Sequence, residues 1–136
     1  MKILRWLAIA LAFAAWNAHA RGSVPIIDHD AVPAVRASGQ AASAEQIRTA
    51  LQSAGAARGW QITPSGAGKA LAVLNVRGKH SISADIAYAS GKYSIKYRDS
   101  SNMNYEAGEG SGRIHPKYNA WVQTLIDDTR MQLLRP

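Results

Sequence analysis

The chain has 136 residues, no cysteine, and 16 Lys and Arg against 9 Asp and Glu, for a formal net charge of +7. Without thiols there is no disulfide framework, no thiolate metal site and no cysteine to carry a lipid. The basic balance speaks to solubility and to anionic partners rather than to fold, and its simplest meaning is a solvated surface.

Residues 1–20 have the layout of a secretory signal peptide: Lys2 and Arg5, an apolar run from Trp6 to Trp16, and an Ala18-His19-Ala20 cleavage site. Export to the periplasm, or secretion, with a mature chain beginning at Arg21, is the expectation. The apolar run is too short to span a bilayer, and no later stretch approaches the roughly 20 apolar residues a crossing needs. The mature form is therefore expected without a transmembrane segment. Residues 21–136 suit one domain that folds by packing alone. Nucleic acid is not expected as a partner in that compartment, which leaves an envelope protein or an anionic envelope component.

Residues 21–42 are rich in Ala, Pro and Gly, lack a helical period, and read as a flexible N-terminal arm. Within it, Val24-Pro25-Ile26-Ile27 is the one piece suited to an edge strand. A single domain is expected over 43–136. Ser43 followed by Gln46 is a capping-box pattern that opens a helix over 44–57, with Ile47, Ala50, Leu51, Ala54 and Ala57 on one stripe and Gly59 after its end.

From Trp60 the period changes to two. Trp60 and Ile62 form a short strand, Pro64 to Gly68 is turn chemistry, and Ala70 to Arg77 is a second strand. A two-residue turn at Gly78-Lys79 would set Val73 opposite Ala84 and Leu71 opposite Ile86. A second turn at Ser90-Gly91 would set Tyr88 opposite Tyr93, Ile86 opposite Ile95 and Ala84 opposite Tyr97. Together these registers put Leu71, Val73, Ile82, Ala84, Ile86, Tyr88, Tyr93, Ile95 and Tyr97 on one face. The other face is polar, with Asp85 opposite Lys96 and Ser83 opposite Arg98.

Ser100 to Ile114 reads as a loop, mobile around Gly108 to Gly112. Pro116 then opens a final helix with Tyr118, Trp121, Val122, Leu125, Ile126, Thr129 and Leu133 on one stripe, and Trp121 is expected to anchor it. The predicted fold is α+β, a small antiparallel sheet of three to four strands with two helices packed on one face.

Three spaced motifs carry a resemblance: Arg58-Gly59-Trp60, then Tyr93-Ser94-Ile95-x-Tyr97-x-Asp99-Ser100-x-Asn102, then Ile114-His115-x-x-Tyr118-Asn119-x-Trp121. Over Ser43 to Leu134 the chain resembles a group of small exported proteins of Gram-negative bacteria, many of them lipoproteins, with no established activity. The resemblance implies a Gram-negative envelope location. The lipid-bearing cysteine is missing here, so membrane tethering does not carry over.

Polar residues gather where the sheet ends and the last helix begins. Asp99, Ser100 and His115 are the candidate orienter, nucleophile and base of a small hydrolase. No G-x-S-x-G elbow surrounds Ser100. Asn102, Tyr105, Tyr118 and Asn119 are candidate ligand-binding residues of a partly apolar cleft. The structural alternative, which ranks first, has these side chains serving backbone groups. Lys92, Lys96 and Arg98 could face an anionic surface, with Asp85 among them arguing for a solvated face. His29, His80 and His115 are scattered without ligand spacing, so neither metal nor cofactor is expected, and His80 reads as a surface turn residue. The glycines at 66–68 and 108–112 lack phosphate-loop spacing. The leading function is a non-catalytic periplasmic binding or assembly module. The alternatives are the hydrolase and a purely structural envelope protein.

Overall fold

The Ser43 capping box forms as its spacing requires: Ser43 Oγ accepts from the Gln46 amide at 3.1 Å, and Gln46 Oε1 accepts from the Ser43 amide at 2.9 Å. It opens α1 (Ala44–Ala56), which buries Ile47, Ala50, Leu51 and Ala54, the expected stripe apart from Ala57 at the C-cap. A computed structural model describes residues 22–136, so the expected signal peptide and its cleavage site lie outside the described residues.

The main sheet has five antiparallel strands in the order β2 (His29–Pro33), β6 (Lys92–Ser101), β5 (His80–Ala89), β4 (Lys69–Val76), β3 (Trp60–Gly66). A second sheet pairs β1 (Val24–Pro25) with β7 (Arg113–Ile114). The α+β class holds, and the sheet is larger than three to four strands. The reason lies in the segment expected as an arm, which supplies β1 and β2. Its pairing uses backbone groups at the free edge of β6, and backbone pairing leaves no period in the side chains. β3 also runs further than expected, through Pro64, because it is an edge strand where a missing N–H is tolerated.

The β5–β6 hairpin has the expected register, with Tyr88 opposite Tyr93, Ile86 opposite Ile95, Ala84 opposite Tyr97 and Asp85 opposite Lys96. A bulge after Ala84 then pairs Ser83 with Asp99 rather than Arg98, and Ile82 with Ser100. One extra residue rotates Ser100 onto the helix-facing side of β6, the side that also carries Tyr97.

The β4–β5 hairpin differs from expectation by one residue. Its loop is Arg77-Gly78-Lys79, closed by Val76 opposite His80, with left-handed backbone at both Arg77 (φ 56) and Gly78 (φ 65). Such a slip exchanges the faces of a strand. Ala70, Ala72 and Leu74 therefore point into the core, and Leu71 and Val73 face outward, half-buried. β4 is apolar at both parities, so the assumed turn length decided the expected face. The observed parity has a physical advantage, since it leaves Lys69 and Asn75 in water.

α2 (Lys117–Leu133) follows Pro116 and buries Tyr118, Val122, Leu125, Ile126, Thr129 and Leu133. It packs beside α1, which lies against β3 and β5. Tyr118 is fully buried and meets the Tyr97 ring edge-on at 5.6 Å. Trp121, the expected anchor, is only half-buried, and Tyr118 takes that place. Among the described residues no helix is long and apolar enough to cross a membrane.

Gly55 marks the closest approach of α1 to the sheet. A Cβ there would lie 2.7 Å from Ile62 Cδ1 and 3.0 Å from Trp60 Cβ. The end of the isoleucine can turn aside, but Trp60 Cβ is fixed to its strand. Alanine gains about 1 kcal/mol over glycine in a helix interior, against overpacking of about 1–3 kcal/mol. Gly55→Ala is expected to lose about 1 kcal/mol net in chemical denaturation; a gain in stability would show that the two elements can separate without cost.

Candidate functional site

The end of β4, the turn after it, and the entry to α2 come together on one side of the molecule. They enclose a cleft of about 350 Å³ lined by Val76, Arg77, His80, Met103, His115, Lys117 and Trp121. On the other side of Trp121 a second depression of about 410 Å³ shares Val76, Arg77 and Trp121 and adds Arg58, Asn75 and Thr124. Among the described residues no carboxylate lines either one. Neither Arg77 nor Lys117 has an ion-pair partner among the described residues, whereas Arg58 is held by Asp128 at 2.9 Å. A larger depression of about 620 Å³ near the N-terminus of α1 mixes Arg36, Glu45 and Arg135 and has no aromatic side chain among the described residues that line it.

Local hydrogen bonds hold the cleft walls. The His80 ring Nδ1 lies 2.7 Å from the Asn102 carbonyl, which can only accept, so that nitrogen carries a proton. Asn102 Nδ2 donates to the Lys79 carbonyl at 3.1 Å. Together these bonds fasten the 77–79 turn to the loop after β6. The His115 amide donates to the Met103 carbonyl at 2.8 Å, and the His115 ring Nδ1 accepts from the Lys117 amide at 3.1 Å. A neutral His115 ring therefore keeps its proton on Nε2.

The candidate catalytic residues do not form a relay. Ser100 Oγ shares a 2.7 Å hydrogen bond with the Tyr97 hydroxyl, the contact the β6 bulge makes possible. Asp99 Oδ1 accepts from the amide of Ser100. His115 serves the first turn of α2, and no hydrogen bond joins it to either of the other two.

The four candidate ligand-binding residues all make contacts within the fold. Asn102 adopts left-handed backbone (φ 58) and ties loop to turn. Asn119 donates from Nδ2 to the Pro25 carbonyl and accepts at Oδ1 from the Ile27 amide, each at 3.0 Å, which clamps the N-terminal segment. Tyr118 belongs to the core, and Tyr105 stacks on Tyr97 at 4.8 Å while remaining 43% exposed.

On the open sheet face, Lys96 pairs with Asp30 at 3.2 Å and Arg98 with Asp85 at 3.0 Å, so two of the three candidate cations already face carboxylates. Lys92 lines a small depression beside Asp30. Among the described residues no group of three or more metal-ligating side chains occurs.

Of the sequence candidates only His115 lines the Trp121 cleft. His80, expected as a surface turn residue, is half-buried in it. Arg77 and Lys117 carried no sequence signal as a pair. Lys117 in the first turn of a helix, where a cation opposes the macrodipole, was the available clue. No family model, curated protein or solved structure matches the chain.

The tyrosine cluster yields a pH prediction. Burial pushes the Tyr93 phenol from 10.0 up to about 12. Burial also raises Tyr118, with the Asp28 carboxylate adding to the rise. Phenols that ionise later when folded contribute stability that is complete below the unfolded value of 10.0 and is lost as pH climbs through about 12. The Tyr118 hydroxyl is buried without a hydrogen-bond partner among the described residues. Tyr118→Phe is therefore expected to match the parent at pH 7 or exceed it by about 1 kcal/mol. Its melting temperature should also fall less steeply above pH 10.0. Urea titration at neutral pH with melts across the alkaline range checks both, and a clear loss at neutral pH would mean that the hydroxyl is satisfied.

Proposed function

We propose that this chain is an exported, non-catalytic binding or assembly module of the Gram-negative envelope, periplasmic by location, and that it makes its contact through the Trp121 cleft. The observation that carries the proposal is that cleft: a half-buried indole beside two cations that have no ion-pair partner, and a lining that has no carboxylate, among the described residues. Concave sites with an apolar wall and a few converging polar groups are where small ligands bind. Export rests on the signal-peptide pattern of residues 1–20, and the envelope location on the resemblance of the three spaced motifs to small exported proteins. The hydrolase alternative is disfavoured because Ser100 and His115 are engaged with different partners. A purely structural protein would not need the cleft.

Protein recovered from the periplasm is expected to begin at Arg21; retention of Met1 would end the export reading. Trp121→Ala removes a half-buried side chain and is expected to cost only about 1–2 kcal/mol, so the protein stays folded. In a deletion strain with an envelope defect that the parent gene repairs, Ser100→Ala and Asp99→Asn should restore the phenotype and Trp121→Ala should not, at equal export. Failure of Ser100→Ala with an unaltered melt would install the hydrolase instead. Full repair by Trp121→Ala would remove the cleft as the working site.

A further inference from the structure

We propose that the Trp121 cleft takes an amphipathic anion of the alkyl phosphate class, its head between Arg77, Lys117 and His115 and its apolar body against Val76, Met103 and Trp121. The inference rests on the binding-module reading and names the chemistry of its ligand.

Two features at the cleft are unfavourable on local grounds, and both concern a cation. Arg77 sits in left-handed backbone at φ 56, a conformation in which a non-glycine side chain is strained. Glycine would be easier there, yet the residue present carries a guanidinium that lines the cleft. Lys117 is placed in the first turn of a 17-residue helix, at the positive end of its dipole, where no acidic residue occurs and the one side-chain cap is the uncharged acceptor nitrogen of His115. Broken local rules concentrate at functional sites. Here they converge on one cavity, where a bound negative charge would pair with both cations.

The remaining lining fits the same ligand. His115 accepts at Nδ1 from the Lys117 amide, which keeps the proton of its neutral ring on Nε2 as a donor. Phosphate oxygens accept from such donors, and charge-assisted hydrogen bonds to Arg and Lys are the strong ones. Val76, Met103 and Trp121 offer no charge and need an apolar partner. The cavity, about 350 Å³, suits a short chain or the first carbons of a longer one.

The test uses the purified protein titrated at neutral pH with three probes, octyl phosphate, inorganic phosphate and octyl glucoside, read by tryptophan fluorescence and calorimetry. Octyl phosphate is expected to bind at least ten-fold more tightly than either comparator: over octyl glucoside because one charge-assisted contact is worth about a factor of ten or more, and over inorganic phosphate because burying even two methylenes is worth about as much. Two variants separate ligand binding from a structural role. Arg77→Gly relieves the backbone, and Lys117→Glu suits the helix N-terminus, so each should melt at or above the parent's temperature while octyl phosphate affinity falls at least ten-fold. A structural role predicts the reverse, a lower melt with unaltered binding, and would overturn the proposal.

Equal affinity for inorganic phosphate and octyl phosphate overturns the amphiphile class. Equal affinity for octyl glucoside overturns the anion but leaves the binding-module reading, which stands or falls separately with Trp121→Ala in the deletion strain. No binding of octyl phosphate overturns the inference outright. Phosphatidylglycerol vesicles distinguish the source of a positive result: sedimentation with vesicles that Lys117→Glu abolishes assigns a bilayer head group, and octyl phosphate binding without sedimentation assigns a free amphiphile. Either one upholds the proposal.

Discussion

The structure depends on residues 23–28 being laced across the loop that follows β6. Arg113 donates from Nη2 to the Ser23 carbonyl at 2.8 Å, the Ile26 amide reaches the Gly112 carbonyl at 2.9 Å, and Asn119 both gives and takes one bond with this segment. Asp28 completes the lacing: one carboxylate oxygen accepts from the Tyr97 amide, where the β2–β6 ladder has ended, and the other from the Ser111 hydroxyl. A side chain thus satisfies a strand donor that would otherwise face water. Each such bond contributes only about 1 kcal/mol net, but leaving the buried members unmade would cost more. Just beyond the lacing the His115 amide donates to the Met103 carbonyl, which joins two residues of the cleft lining.

A second constraint is the bulge in β6. It turns Ser100 toward the helices without breaking the hairpin, and Ser100 then meets Tyr97, whose ring is stacked on Tyr105 and abuts Tyr118. Of the residues that resemble a catalytic set in sequence, Ser100 is thereby joined to a linked aromatic and hydroxyl cluster. Asp99 is left on the outer side, bonded to the amide that follows it. The same principle explains Asn102 and Asn119. Side-chain amides can serve a donor and an acceptor at once, which suits them to joining loops that lack a ladder.

Most residues of the three spaced motifs hold the architecture together: Trp60, Tyr93 and Ile95 in the core, Tyr118 between helix and sheet, and Asn119 on the N-terminal segment. His115 and Trp121 are the exceptions, since they line the cleft. Residues that serve packing say little about ligand chemistry. Of the cations that do bear on it, Arg77 stands outside the motifs and Lys117 occupies an unspecified position within the third.

Local chemistry was legible in the sequence wherever one element contained its own evidence. The Ser43 cap with its helix stripe as far as Ala54, the final helix apart from Trp121 as its anchor, and the Ser90-Gly91 hairpin as far as Ala84 opposite Tyr97 are present as the sequence predicts, because caps, periodicity and tight turns act within a few residues. The register of β4 was only half legible. Its leucines, valines and alanines are apolar at both parities, and the polarity of Lys69 and Asn75 was outweighed by an assumed turn length. Residues 22–42 offered no period, since their pairing is made by backbone groups with partners some sixty to ninety positions away. The cleft was out of reach for the same reason: residues 76–80, 103 and 115–121 become neighbours only when the β4–β5 turn is fastened to the loop after β6. The sequence by itself determined which segments would be helix or hairpin and which residues each could bury. Tertiary structure alone decided which strand covered the β6 edge, which face of β4 turned inward, and which charges came to share a cavity, because those outcomes depend on distances between segments that no local pattern encodes.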